Sequence, residues 1–481
     1  MNTPSIVIVG GGIAGLAAAW ELTGADEGPS ESTPRVEVLE AGDHFGGTLV
    51  TSEFAGRTID LGPDGFLARR PEALQLIREL GVEDQLEAIA ASGASIWLRG
   101  ALDTLPEGLV LGIPTSSKAL SSLKGLTWRA RLAARRDEWL PRRLSVSDDA
   151  TIGEIVRAKL GRELSYQFIE PMVGGIQAGR IDDLSAKAIF APLLAAAKRG
   201  GSLMKAMRPA TNAAPGPSEP KGPLFCSMAG GIGSLPEELV RQLRARGVVL
   251  RSKTPVTALR RTPSGTYPWE VDTEATTTLA NVLILATPAP LVGRLAGELD
   301  PALARLATIP SAGAAMVTFD VARSNVTLPA SGTGVLVPLA TKWSGEGTMM
   351  VTALTFLDRK WPRLHRSEDV LFRAHVGRID DERWTGMSDE ELVARVSNEV
   401  REILGTFRDP ISTIVQRWPS GLPQYYPGHE EMVTAARTAG SALSLALAGS
   451  AYDGVGIPAS IGSGRRAARE ALNLLATQHT T

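Results

Sequence analysis

The sequence predicts an α/β fold in which an N-terminal βαβ unit belongs to a domain that is interrupted by large insertions. An apolar strand, a glycine loop and a helix follow one another in SIVIVGGGIAGLAAAW, residues 5–20. Strand-type and helix-type periodicities then alternate along the chain, separated by stretches rich in Gly, Pro and Ser. The length of 481 residues leaves room for two or three domains.

Composition excludes several classes of protein. The chain has 50 basic and 52 acidic residues, so we expect no nucleic-acid partner. Its one cysteine, Cys226, excludes an internal disulfide, and no His or Cys spacing predicts a metal site. We find neither a secretory signal nor an apolar run of about 18 residues, which predicts a cytoplasmic protein without a transmembrane segment.

The hydrophobic periodicity of the first 40 residues predicts the elements of the N-terminal βαβ unit. We predict a strand over residues 5–9, a helix over 13–22 and a second strand over 35–39. The polar segment between helix and second strand, residues 23–34, is predicted to be a solvated surface insertion.

The glycine loop carries the first functional signal. Gly10, Gly12 and Gly15 have the spacing that permits a tight turn, close approach of a pyrophosphate and contact between helix and strand. Glu40 ends the second strand, where a carboxylate accepts both hydroxyls of an adenosine ribose and disfavours a 2′-phosphate. The alternative is a purely structural glycine turn.

The rest of the chain divides into helical and strand-rich stretches. Helical patterns are predicted over residues 71–90, 118–163 and 368–406, and a linker over 207–224. Strands are predicted near residues 248–260, 268–272 and 281–285, with strand-rich sequence continuing to about 355.

One helical segment, WRARLAARRDEWLPRR at residues 128–143, mixes arginines with Trp128, Leu132, Trp139 and Leu140. Such a segment can contact a membrane surface. The interpretation we favour is a solvated helix face whose tryptophans pack inward.

Three further segments resemble one family. AGDHFGGTL at residues 41–49, FAGRTIDLGPDGFL at 54–67 and ATPA at 286–289 resemble signatures of the flavin-containing amine oxidase and porphyrinogen oxidase superfamily. Before its glycine pair that family usually has an arginine or lysine, whereas this chain has Asp43, His44 and Phe45.

The resemblance implies an architecture. It is a Rossmann-like FAD-binding domain of the glutathione reductase and p-hydroxybenzoate hydroxylase type, with inserted substrate-binding and helical domains. The implied boundaries are FAD-binding parts at 1–70, 225–300 and 421–481, a helical and substrate-binding insertion at 71–205, a linker at 206–224, and a second substrate-binding part at 301–420.

The implied cofactor is noncovalent FAD. In the family, the C-terminal glycine segment folds back beside the N-terminal loop, and the helix starting near Val455 points its N-terminus at the flavin. Trp418 resembles a flavin-side tryptophan, with ordinary core packing as the alternative. The implied FAD-binding residues are Gly10, Gly11, Gly12, Ile13, Ala14, Gly15, Glu40, Ala41, Gly47, Gly62, Pro63, Asp64, Gly65, Val256, Trp418, Gly449, Val455, Gly456 and Ile457.

Other segments narrow the implied chemistry. Residues 168–193 resemble a porphyrinogen oxidase motif, and LPEGLVLGIPTS at 105–116 resembles the Gram-positive form that acts on coproporphyrinogen III. The implied reaction is a six-electron oxidation of this tetrapyrrole by dioxygen, yielding hydrogen peroxide. It needs no protein acid–base catalyst, so we predict none.

The substrate is expected against Gly174, Gly175 and Ile176, where a flat macrocycle can approach backbone; the alternative is a tight helix-to-strand turn. Candidate ligands for its propionates are Arg57, Arg180 and Lys342. Competing functions are protoporphyrinogen IX oxidation, amine oxidation or polyene desaturation, and a noncatalytic flavin-binding protein. The sequence leaves the oligomeric state open.

Overall fold

The structure, a computed structural model, describes residues 3–24, 33–140, 143–208, 223–262, 267–339 and 341–478. Its strands are β1 (Ser5–Val9), β2 (Arg35–Leu39), β3 (Thr51–Phe54), β4 (Arg57–Asp60), β5 (Phe66–Leu67), β6 (Leu86–Ala88), β7 (Ser95–Leu98), β8 (Ala101–Thr104), β9 (Leu109–Val110), β10 (Ile113–Pro114), β11 (Phe225–Met228), β12 (Val249–Arg251), β13 (Val256–Arg261), β14 (Trp269–Thr273), β15 (Thr277–Ala280), β16 (Val282–Leu285), β17 (Ser311–Ala322), β18 (Gly334–Leu336), β19 (Val351–Phe356), β20 (Asp369–Val376), β21 (Ser412–Pro423) and β22 (Leu445–Leu447).

The α-helices are distributed between and after these strands. They are α1 (Ile13–Leu22), α2 (Pro71–Glu79), α3 (Ser117–Ser122), α4 (Trp128–Trp139), α5 (Ile152–Leu160), α6 (Arg162–Leu164), α7 (Glu170–Gln177), α8 (Ala186–Arg199), α9 (Leu203–Ala206), α10 (Ser234–Ala245), α11 (Ala289–Ala296), α12 (Pro301–Ala304), α13 (Leu357–Lys360), α14 (Asp389–Leu404), α15 (His429–Ala442), α16 (Ser450–Asp453) and α17 (Ile457–Gln478).

The predicted α/β fold is confirmed by a five-stranded parallel sheet in the order β12-β2-β1-β16-β22. Successive side chains of β1 enter opposite layers, because strand side chains alternate between faces. Ile6 and Ile8 pack in the core that α1 and α17 cover, whereas Val7 and Val9 pack in the core that α11 covers. Burial on both faces accounts for the almost continuous apolar sequence of these strands.

Two glycines allow α1 to lie close to its neighbours. A Cβ on Gly15 would stand 2.0 Å from the carbonyl oxygen of Gly10, which confirms the predicted helix-to-strand contact. A Cβ on Gly464 would stand 2.0 Å from the carbonyl oxygen of Ala14, so α17 crosses α1 at backbone distance. The C-terminal helix is therefore packed directly against the N-terminal unit.

A second, seven-stranded sheet has the order β21-β17-β20-β19-β18-β7-β8. Helix α14 packs on it through Leu392, Val396 and Val400. The prediction of helix throughout 368–406 is wrong for its first part, because β20 pairs with β17 on one side and β19 on the other. The prediction of helix to residue 90 also fails, since α2 ends at Glu79 and β6 pairs with β11.

Helices α3 to α9 share a third core that includes Ile155, Leu164, Phe168 and Leu193. Within it, the expectation that the tryptophans of α4 pack inward is wrong. Trp128 is 69% exposed and Trp139 is 61% exposed, while the small side chains of Ala130 and Ala134 make the buried contact.

Two predicted connecting segments fall largely outside the described residues. These are residues 25–32 of the predicted surface insertion and residues 209–222 of the predicted linker. The domain boundaries drawn from the sequence stay a prediction. No helix in the described part of the chain combines the length and hydrophobicity that crossing a bilayer requires.

Candidate functional site

The glycine loop joins β1 to α1. Gly10 has φ +106°, and a Cβ there would stand 2.7 Å from the carbonyl oxygen of Ala286, at the end of β16. Gly12 differs: apart from its chain neighbours, no atom of the described residues lies within 4 Å of the position of a Cβ. The backbone conformation and close packing of Gly10 therefore require a glycine there. At Gly12 the protein itself would tolerate a side chain, so the missing side chain leaves a space open beside the loop.

Glu40 lies where the sequence predicts it, at the end of β2. Its carboxylate accepts hydrogen bonds from the backbone N–H of Gly11, at 2.6 Å, and of Gly42, at 2.7 Å. An ionised carboxylate has about four acceptor positions, so two remain for the hydroxyls of a ribose. The two hydrogen bonds fix the orientation of the Glu40 carboxylate relative to the glycine loop. Ala41, also a predicted cofactor residue, lies in the turn that follows Glu40.

A cavity of about 210 Å³ opens beside this loop. Seven separate segments form its wall, and the residues are Gly12, Ile13, Ala14, Gly46, Gly47, Thr48, Ala286, Thr287, Pro288, Ala289, Ser311, Ser420, Gly421, Pro423, Gly449, Ser450, Ala451 and Ser460. Five of the predicted cofactor-binding residues belong to it: Gly12, Ile13, Ala14, Gly47 and Gly449. The N-terminal and C-terminal glycine segments therefore meet at one site.

The atoms of this wall fit a polar ligand that lies against backbone. Gly449 has φ +129°, and no described atom beyond its neighbours lies within 4 Å of a Cβ placed there. The buried hydroxyl of Thr287 has no hydrogen-bond partner among the described residues. Open space at two glycines and an unpaired buried hydroxyl are the features that a bound dinucleotide would occupy and satisfy.

The predicted residues 62–65 are held by hydrogen bonds and ion pairs with charged side chains. The guanidinium of Arg373 donates to the carbonyl oxygens of Gly62, at 2.9 Å, and of Asp60. Asp64 accepts from Lys360 Nζ, at 2.7 Å, and from the indole N–H of Trp361, at 3.0 Å. Burial acts to raise the pKa of Asp64, but Lys360 and Arg373 hold that pKa well below its ordinary value.

Close packing also holds this segment. A Cβ on Gly62 would stand 2.1 Å from the carbonyl oxygen of Thr48, and one on Gly65 would stand 2.7 Å from that of Cys226. Since Thr48 lines the cavity, Gly62 and Pro63 lie directly behind its wall. These residues support the cavity without lining it.

The other predicted cofactor residues do not line the cavity. Val256 begins β13 and packs on the core beneath the parallel sheet. The indole N–H of Trp418 donates to the carbonyl oxygen of Leu61 at 3.1 Å, which ties the seven-stranded sheet to the segment before Gly62. Gly456 has φ +101° and precedes α17, which begins at Ile457; Val455 is the residue before it.

The predicted substrate residues Gly174, Gly175 and Ile176 lie within α7 rather than at the tight turn considered as an alternative. Gly175 and Ile176 are exposed. The side chain of Gln424 donates to the carbonyl oxygen of Gln177 at 2.7 Å. Because Gln424 follows Pro423 of the cavity wall, this bond joins the end of α7 to the rim of the cavity.

Of the propionate candidates, Arg57 is buried in ion pairs with Asp320 and Asp369, so it is not available to a substrate. Arg180 pairs with Asp380 at 2.7 Å and is partly exposed. Sequence reasoning missed Arg373, Lys360 and the lining residues Thr287 and Ser420. An arginine within the apolar strand sequence of β20 was the signal available for Arg373.

We expect the buried Asp60 to impose a pH dependence on stability. Burial raises its pKa to about 6 from an ordinary 3.8, although Arg363 opposes the shift. A carboxyl group whose pKa is higher in the folded protein stabilises the fold fully when the pH is below its pKa in the unfolded chain. This contribution is lost as the pH rises through about 6. Relative to Asp60→Asn, the free energy of unfolding of the wild type should fall by about 2 kcal/mol between pH 4 and 7. Urea titrations of both proteins at both pH values measure the difference; parallel pH profiles would contradict the assignment.

Comparison with known proteins gives a consistent result. The family described as flavin containing amine oxidoreductase matches residues 13–472. The chain is 34% identical to the coproporphyrinogen III oxidase of Mycobacterium leprae, covering 97% of this chain and 98% of the relative. It is 31% identical to that of Bacillus subtilis, with 98% of both chains covered.

A solved structure agrees in fold over the full length. The crystal structure of an Exiguobacterium sp. 255-15 protein assigned as a protoporphyrinogen oxidase superposes with a TM-score of 0.85 at 30% identity, covering 98% of this chain and 100% of the other. The family match spans the glycine loop, the cavity wall and the C-terminal helix together. The chain therefore belongs to the flavin-containing amine oxidoreductase family, in its porphyrinogen oxidase branch.

Proposed function

We propose that this flavoenzyme oxidises coproporphyrinogen III to coproporphyrin III in haem biosynthesis, with dioxygen as the electron acceptor. One tetrapyrrole loses six electrons and six hydrogens, and three dioxygen molecules become three hydrogen peroxide molecules. The observation that carries this proposal is the full-length similarity to coproporphyrinogen III oxidases. The glycine-lined cavity supports it, because five of the predicted FAD-binding residues, from both ends of the chain, line it.

The cofactor is FAD, which when bound takes hydride equivalents from the substrate and passes the electrons to dioxygen. We propose that it is bound noncovalently, since the single cysteine, Cys226, is buried in β11 behind Gly65. The proposed FAD-binding residues are those predicted from the sequence, with Gly12, Gly47 and Gly449 at the cavity and Glu40 at the ribose. The proposed division into FAD-binding and inserted domains follows the boundaries given above.

The protein's own part is to position the reactants and exclude water. The buried network around Asp64 and Arg373 holds the residue 62–65 segment rigid behind the cavity. His375, close to Arg373, is partly buried, and loss of solvation lowers its pKa to about 3, so it stays neutral and adds no charge. We assign no acid–base catalyst, because hydride loss followed by release of an acidic pyrrole proton does not require one.

We propose that the macrocycle lies over Gly174, Gly175 and Ile176. A Cβ on Gly175 would make only an ordinary contact of 3.7 Å, with Leu336. Gly175→Val should therefore fold normally and retain flavin, while its added methyl groups keep a flat substrate from the helix. We expect kcat/KM for coproporphyrinogen III to fall at least about tenfold, equivalent to about 1.4 kcal/mol.

A matched control is Gly386→Val. Gly386 is exposed, does not line the cavity, and has no described atom beyond its neighbours within 4 Å of a Cβ. Unchanged kinetics in Gly175→Val, with the control also unchanged, would remove α7 from the proposed substrate site.

Oxidation of protoporphyrinogen IX is the alternative function, and the similarity to the Exiguobacterium structure favours it. The two substrates differ in whether two positions carry propionates or vinyl groups. The test is to compare the growth of porphyrin fluorescence on both substrates at matched concentration under air, with peroxide assayed in parallel. Preference for coproporphyrinogen III supports the proposal. Preference for protoporphyrinogen IX replaces it, and a flavoprotein that oxidises neither tetrapyrrole contradicts both.

We further propose that the reaction takes place in the cytoplasm, where a lone cysteine is kept as a thiol. Of the basic candidates, Arg180 and Lys342 remain proposed propionate ligands. Their individual replacement by glutamine should raise KM more than it lowers kcat if either binds a propionate.

A further inference from the structure

Arg378 is a buried arginine that has no ion-pair partner among the described residues. It follows β20 in the chain, and 7% of it is exposed. Its Nη2 donates to the carbonyl oxygen of Val337 at 3.3 Å, whereas Nη1 is buried and has no hydrogen-bond partner among the described residues. Burying a charge without a counterion is costly, so the guanidinium lies where an anion is missing.

The acidic side chains that follow Arg378 in the chain are bound by other arginines. Asp380 pairs with Arg180 at 2.7 Å, and Asp381 pairs with Arg383 at 2.6 Å. Neither carboxylate is therefore available to neutralise Arg378.

Glu170, on α7, is a further acid whose charge acts on Arg378, but the two form no ion pair. Burial raises the pKa of Glu170, which disfavours its charged form. The surroundings of Arg378 thus leave its positive charge without a direct partner.

The unpaired end of Arg378 lies beside the proposed substrate site. A Cβ on Gly174 would stand 4.0 Å from Nη1, and Gly174 is partly exposed. The backbone N–H of Ile379 donates to the carbonyl oxygen of Ala178 at 2.9 Å, which fixes the loop carrying Arg378 to the C-terminal end of α7. The missing side chain at Gly174 therefore leaves room for a ligand atom next to the guanidinium.

We infer that Arg378 binds a propionate carboxylate of the tetrapyrrole that lies over α7, an inference that rests on the function proposed above. A carboxylate supplies the charge that Arg378 lacks, and a guanidinium offers it two parallel N–H donors. A buried water can accept a hydrogen bond from Nη1 but does not neutralise the charge. Coproporphyrinogen III and protoporphyrinogen IX both carry propionates, so the inference holds for either substrate.

The first test measures binding of the product coproporphyrin III to the holoenzyme by fluorescence titration. Arg378→Met should weaken this binding at least about tenfold, and Arg378→Lys, which keeps the charge, should recover part of the loss. The tetramethyl ester of coproporphyrin III has no carboxylate, so the wild type and Arg378→Met should bind it equally. In turnover, Arg378→Met should raise KM more than it lowers kcat.

Stability separates a binding role from a structural one. Replacing an unpaired buried charge by an apolar side chain of similar volume removes a desolvation cost, so the urea midpoint of Arg378→Met should equal or exceed that of the wild type. A structural role predicts a lower midpoint instead. Arg383→Met is the matched control in the same loop, because Arg383 is exposed and has its own partner in Asp381; it should bind coproporphyrin III like the wild type.

Gly174→Ala tests the approach to Arg378 from the side of α7. Besides Nη1, its Cβ would meet only the carbonyl oxygen of Gly179, at 3.4 Å, so the variant should fold normally. Its methyl group would occupy the room beside the guanidinium, and we expect the affinity for coproporphyrin III to fall at least about threefold, with little change for the ester.

Three results would overturn the inference: an unchanged dissociation constant for coproporphyrin III in Arg378→Met, an equal loss of affinity for the ester, or a lowered urea midpoint. Failure of the proposed function has a different signature. In that case the wild type itself binds flavin but oxidises neither coproporphyrinogen III nor protoporphyrinogen IX.

Discussion

Gly12→Val should yield a folded protein that has lost its flavin. The Gly12 backbone, at φ −67° and ψ 175°, suits a valine, and no described atom beyond its chain neighbours lies within 4 Å of a Cβ there. The added side chain would instead project into the cavity wall where FAD is expected. We expect the affinity for FAD to fall at least about 100-fold, which corresponds to about 3 kcal/mol.

Two measurements separate this effect from misfolding. The flavin-to-protein absorbance ratio reports binding, and circular dichroism of the deflavinated proteins reports the fold. Gly386→Val, which adds the same side chain in open space at a residue that does not line the cavity, should retain wild-type flavin content. If Gly12→Val keeps full flavin content, the cavity beside the glycine loop is not the cofactor site.

Arg373→Met should destabilise the protein strongly. Arg373 is buried, and its guanidinium satisfies the carbonyl oxygens of Gly62 and Asp60. Methionine fills a similar volume but leaves these carbonyls unpaired and removes a positive charge beside Asp60 and Asp64. Loss of one partner from a buried charge network costs about 3–5 kcal/mol, so the chemical denaturation midpoint should fall clearly.

Arg241→Met serves as the comparison. Arg241 lies exposed on α10 and, among the described residues, pairs only with Glu238 one turn away, so its replacement should leave the free energy of unfolding close to that of the wild type. A flavin released on mild warming of Arg373→Met, before global unfolding, would further link this network to the cavity. Equal stability of both variants would show that the network around Asp64 does not support the fold.

The local part of this structure could be predicted from the sequence. The bounds of β1, α1 and β2 follow from neighbouring residues alone, because an apolar strand, a glycine turn and a helix of small residues each depend on short-range preferences. The meeting of the Gly12 and Gly449 segments was reached only through the family resemblance, since no local pattern connects them.

The remaining features depend on contacts between distant residues. The bonds from Arg373 to Gly62 and from Lys360 to Asp64 each cross about 300 positions of the sequence, and no periodicity encodes them. Helix α4 differs from its prediction for another reason. Its buried stripe consists of small residues, so the hydrophobic residues that usually mark the inner face are on the outside here.

The position of β22 at the edge of the parallel sheet has a consequence for how the protein is made. Gly449 follows this strand directly, so the cavity lacks one wall until nearly all of the chain has left the ribosome. The N-terminal strand and glycine loop must wait through the synthesis of helices α3 to α9 and of the seven-stranded sheet before the Gly449 segment arrives. Until then the nascent chain exposes the apolar edge of β16, on which β22 will pair.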